Sequence, residues 1–82
     1  MKKVGIVEQI IVDEKNMKTV VLIQDEIDEK NKWVVEFRKK LRVAAWLLIP
    51  GDRIKFECYN QGCIDKNQKF HNNIIGESIE RI

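Results

Sequence analysis

The clearest hydrophobic pattern lies between Trp33 and Tyr59, in the stretch WVVEFRKKLRVAAWLLIPGDRIKFECY. Trp33, Val35 and Phe37 alternate with Val34, Glu36 and Arg38, the period of two that marks a half-buried strand. From Lys39 the period changes. Leu41, Ala44, Ala45 and Leu48 recur at helical spacing, and alanine and leucine are strong helix formers, so the spacing predicts a short helix with that face inward. Pro50 and Gly51 end it, because proline lacks a backbone donor and glycine accepts positive φ. Alternation returns from Asp52 to Tyr59, with Ile54, Phe56 and Cys58 on one side and Arg53, Lys55, Glu57 and Tyr59 on the other.

The flanking segments extend the same plan. Val4 to Val12 reads as a first strand, with Gly5 easing a close approach or a bulge. Glu14 to Met17 reads as a hairpin turn with Asn16 at positive φ, and the β-branched run Lys18 to Gln24 as strand two. Asp25 to Lys32, with four acids, is an exposed connection. Asn60 to Lys69 reads as a ten-residue polar loop. Phe70 to Ile82 reads as strand five, with a bulge at Gly76 and Ile75, Ile79 and Ile82 as its core contacts. Five strands with one short helix between the third and fourth predict an all-β OB-fold barrel, a single domain over residues 1–82.

Composition narrows the chemistry. A net charge of +2 is too small to define a partner, so the placement of cations matters more. The start, MKKVGIVEQIIV, has the lysines and apolar run of a signal peptide, but Glu8 and Gln9 interrupt the run and no cleavage site follows. No run approaches the roughly 20 apolar residues of a membrane helix. The expectation is a cytoplasmic protein without a membrane partner. Cys58 and Cys63 are read as a core residue and a loop residue, both reduced. With His71 the only histidine, a four-ligand zinc site is not expected, nor any cofactor. No nucleophile, base pair of carboxylates or phosphate loop can be assigned, so no catalytic residue is proposed and the chain does not read as an enzyme. Asp52 is read as turn chemistry.

The second half resembles the bacterial single-stranded DNA-binding protein family. The likeness rests on Val34-Val35-Glu36-Phe37, Lys39, Val43-Ala44, Leu48, Gly51, Ile54-Lys55-Phe56-Glu57, and the closing Ile74-Ile75 and Ile79 to Ile82. It is equally similar to the primosomal replication protein relatives of that family. The resemblance implies an OB barrel that binds single-stranded DNA in replication, recombination or repair, with third-strand aromatics on the DNA surface. Against that family the first two strands are short, and the expectation is a reduced form without the family's acidic tail.

Sequence-tolerant binding of a single strand needs flat aromatic faces for bases and cations for phosphates. The candidate cations are Arg38, Lys39, Lys40 and Arg42 at the strand–helix junction, Arg53 and Lys55 on strand four, and Lys66 and Lys69 in the last loop. Tyr59 shares the polar face of strand four and is the first stacking candidate; Phe70, beside Lys69, is another. Trp33 and Phe37 are assigned to the core by alternation and to the ligand face by the resemblance, with Trp33 the stronger stacking candidate. The expected partner is single-stranded DNA, with RNA as the variant. The helix leaves Val43, Trp46 and Leu47 pointing outward, an apolar patch that suits protein interaction, a homodimer or a higher homo-oligomer, unless the helix rotates to bury Trp46.

Overall fold

The computed structural model describes residues Lys2–Ile82. Its elements are β1 (Lys2–Asp13), β2 (Lys18–Asp25), β3 (Lys32–Arg38), α1 (Lys40–Trp46), β4 (Arg53–Ile64) and β5 (Phe70–Arg81), so the one helix does fall between the third and fourth strands. The strands form one sheet in the order β1-β2-β3-β5-β4, and the sheet closes on itself because β4 also pairs with β1. The pairings are antiparallel except β3 with β5, where Val35 faces Ile74 and Glu36 faces Ile75.

Alternation fills the interior. Val7, Val21, Ile23, Val35, Phe37, Ile54, Phe56 and Cys58 are buried together, and Ala45 and Leu48 of the helix segment close over them. Thr19 joins them, its hydroxyl donating to the Arg42 carbonyl at 2.9 Å, which ties α1 to β2 without leaving a buried donor unmet. The helix spans only seven residues and meets the sheet along the line Leu41, Ala45, Leu48. Ala44, expected on that face, is exposed instead, because so short a helix contacts its neighbour along one i, i+4, i+7 line. Gly51 sits at φ 98, the Asp52 N–H donates to the Ile49 carbonyl, and the Asp52 carboxylate accepts from the Ile49 N–H, so Pro50-Gly51-Asp52 is a turn as expected.

Several boundaries differ from the sequence pattern. Asn60 to Ile64 is strand rather than loop: β4 and β5 stay paired out to Ile64 opposite Phe70, and the connection shrinks to residues 65–69. This outer part of the hairpin is solvated on both faces, so no alternation is required and its polar residues resemble a loop in sequence. Asp65 organises the turn, accepting backbone N–H groups of Asn67 and Lys69. Contact with His71, followed by those N–H groups, holds its carboxyl below the ordinary range. In the β1–β2 turn the positive φ falls on Met17 rather than Asn16, since Asn16 turns its N–H and amide toward the Asp13 carboxylate.

A bulge does lie beside Gly76: Cys58 pairs with Gly76 and Glu57 with Ser78, leaving Glu77 unopposed. The parity change points Ile79 inward opposite Phe56 and leaves Ile82 outward and exposed, against expectation. Gly5 meets the close-approach reading, because a Cβ there would lie 2.6 Å from the Gln24 carbonyl oxygen, whereas the β1 irregularity falls between Val7 and Gln9. Cys58 is buried and Cys63 exposed, the latter on β4 rather than in a loop. Five residues of extended chain separate them by roughly 16 Å, far beyond the reach of a disulfide. No helix among the described residues is long and apolar enough to cross a membrane.

Candidate nucleic-acid interface

Strand register builds a continuous row on the outer side of the sheet. Ile11 pairs with Val20, Val20 with Glu36, Glu36 with Ile75 and Ile75 with Tyr59, so one outward row crosses all five strands. Directly paired residues share a face, which makes neighbours of groups far apart in sequence. Ile75, expected in the core, is buried on this outer side as the floor of a groove of about 720 Å³. Arg38, Lys39 and Lys40 line it together with Tyr59 and Gln61, and the Arg38 side chain reaches across to Gln61. Lys39 has φ 54, and this left-handed residue turns the chain from β3 into α1, setting three consecutive cations along the rim. Tyr59 is 44% exposed, which leaves a ring surface open beside them.

The cations are held unequally. Glu36, only 8% exposed, accepts from Lys18 Nζ at 2.7 Å and from Arg38 Nη2 at 2.7 Å. Arg38 Nη1 reaches the Gln61 Oε1 at 3.5 Å. Burial alone would raise the Glu36 pKa, but the hydrogen bonds from Lys18 and Arg38, with their charges, outweigh it and hold the carboxyl below its ordinary 4.5. A depressed folded value stabilises the fold above the unfolded value of 4.5, and that contribution is lost as pH falls through the folded value. Thermal melts between about pH 7 and about pH 3 should therefore fall more steeply for the wild type than for Glu36→Gln. Parallel curves would mean that the ion triad adds no pH-dependent stability.

The remaining expected site residues disperse. Phe37 is 0% exposed, which corrects its assignment to the ligand face: β3 register points it inward with Val35. Trp33 is half-buried at the core's margin, edge-on to Phe56 at 5.7 Å, and Lys3 Nζ lies 4.6 Å from its ring centroid. It is therefore at the opposite end of β3 from the groove, with a cation already over one face. Arg53 is drawn to the acidic β2–β3 connection, both Nε and Nη2 donating to Glu26 Oε1. Lys55 lies with Lys2, Glu57 and Glu80 in a separate shallow depression. Lys66 belongs to the hairpin turn, and Lys69 and Phe70 to its edge; Phe70 is 83% exposed. Paired with Ile64, Phe70 occupies the hairpin face opposite to that of Tyr59 and Gln61.

Gln61, Lys18 and Glu36 were not singled out by sequence reasoning. The sequence pattern puts Gln61 in a loop, and Lys18 meets Glu36 only through the β2–β3 register. The one visible signal was Glu36 itself, an acid between Val35 and Phe37. On the helix, Val43, Trp46 and Leu47 are exposed, with Trp46 also lining a cleft of about 340 Å³ beside Met17 and Val12. No protein-family model matches the chain, and no curated protein matches it.

Proposed function

We propose that this chain is an OB-fold barrel that binds single-stranded nucleic acid, DNA before RNA, as an accessory to replication, recombination or repair. The observation that carries the reading is the groove that Arg38, Lys39 and Lys40 line together with Tyr59 over Ile75. A phosphate would meet the cations and the adjoining base would lie on the tyrosine ring, the two contacts that sequence-tolerant binding requires. The strand order, closed through one parallel β3–β5 contact with a helix between β3 and β4, supports the OB assignment. It agrees with the resemblance to the bacterial single-stranded DNA-binding family, with Trp33 now a margin residue. Fluorescence anisotropy with labelled dT oligomers of about 20 nucleotides tests it. Micromolar or tighter binding that weakens steeply with added salt is expected; no binding at low salt would refute it.

The exposed Val43, Trp46 and Leu47 favour a second reading, a protein-interaction or homodimer surface on the helix. Under that reading Trp46→Ser should lower the mass measured by sedimentation while the melting temperature holds. An unchanged mass would reject the homodimer.

A further inference from the structure

Glu36 stands where a surface suited to a polyanion would gain by lacking an acid. It is an outward residue of β3, in the same cross-strand row as Tyr59, and by charge alone it opposes an approaching phosphate. Its geometry argues for a different role. The carboxylate is nearly enclosed, with Lys18 of β2 on one oxygen and Arg38 on the other, each at 2.7 Å. The second guanidinium arm of Arg38 reaches Gln61 on β4, so the side chain is held at both ends across β5. A planar guanidinium fixed in this way presents its remaining donors in a defined direction, whereas an unrestrained one must first be ordered by its ligand.

We propose that Glu36 is a positioning residue for the groove: it holds the Arg38 guanidinium in place to receive a phosphate of a strand whose base stacks on Tyr59, and Lys18 anchors Glu36 from the other side. The inference rests on the nucleic-acid reading above. Glu77 provides the control, since it is an exposed acid lining the same groove with no contact to Arg38 among the hydrogen bonds and ion pairs described. If charge alone mattered, removing the repulsion of either carboxylate would make both Glu36→Gln and Glu77→Gln bind dT oligomers more tightly. Positioning by Glu36 makes Glu36→Gln bind about tenfold more weakly, the loss expected when one charge-assisted contact is no longer well oriented, while Glu77→Gln does not weaken binding.

A double-mutant cycle read by anisotropy tests this directly. Arg38→Ala should cost about tenfold in the wild type and less than about twofold in the Glu36→Gln background, because Arg38 there is already ineffective. Arg38→Lys keeps the charge but lacks the fork that spans Glu36 and Gln61, and should weaken binding nearly as much as Arg38→Ala. If Glu36→Gln does not fold, this lysine variant decides: wild-type affinity for it would overturn the proposal. Tighter binding by Glu36→Gln, or an equal cost of Arg38→Ala in both backgrounds, would overturn it as well. Wild-type protein that binds no dT oligomer at low salt overturns the nucleic-acid reading and this inference together; wild-type binding with a tightened Glu36→Gln overturns the inference alone.

Discussion

Replacing Phe37 by alanine should remove about 3–5 kcal/mol of folding stability, a large share of the roughly 5–15 kcal/mol a native protein has. Phe37 is among the largest fully buried side chains, set at the end of β3 where the interior is closed by the helix segment. Its ring also explains Gly76. A Cβ built on Gly76 would lie 2.2 Å from Phe37 Cε1, 2.4 Å from Cδ1 and 2.9 Å from Cζ, so the glycine exists to admit the ring. Gly76→Ala should therefore be destabilising by about 1–3 kcal/mol, the usual cost of overpacking. The two effects should couple, with Phe37→Leu less harmful in the Gly76→Ala background than in the wild type. Urea unfolding followed by circular dichroism measures all of this, and an unchanged midpoint for Phe37→Ala would contradict the burial of its ring. The same substitution, judged as a loss of a stacking surface, would instead lower binding without lowering stability.

Tyr59→Ala should have the largest effect on binding at unchanged fold. One base–aromatic stack is worth about 1–3 kcal/mol, so affinity for dT oligomers should drop about 5- to 150-fold. Tyr59 is exposed on the outer face of β4 and lies outside the buried core, so its melting temperature should stay near that of the wild type. The cations of the groove should act differently. Changing Arg38, Lys39 and Lys40 together to alanine should reduce the slope of log affinity against log salt by about 2, as expected for three contacts to a single strand. Arg53→Ala should leave that slope nearly unchanged, because Arg53 is engaged with Glu26 away from the groove. A Tyr59→Ala variant with wild-type affinity would move the stacking surface elsewhere, first to Phe70 on the opposite face of the hairpin.

Residues of the same type part company in the fold. Phe37 and Tyr59 were both aromatic candidates, and Arg38 and Arg53 both cationic ones. Alternation along β4 was sufficient to put Tyr59 outward and Phe56 inward, since each such assignment depends only on adjacent residues. On β3 the same alternation put Phe37 inward, while the resemblance pointed it toward a ligand; the burial agrees with the alternation. Arg53 could not be assigned by any local rule, because Glu26, its partner, is 27 residues away.

Local pattern was enough to specify the order of strands, a short helix between the third and fourth, the inward row Ile54, Phe56 and Cys58, and the turn at Pro50-Gly51-Asp52. Each is encoded in the spacing or backbone chemistry of residues a few positions apart, so it can be read without knowing which distant segments meet. Long-range pairing, by contrast, makes Asn60 to Ile64 a strand, sets Ile75 under a groove on the outer face, and places Arg38 between Glu36 and Gln61. Those facts follow from the closed order β1-β2-β3-β5-β4 and from the register of its pairs, which join residues dozens of positions apart. A shift of one residue in any pair would exchange the faces, and no local period records which register is adopted.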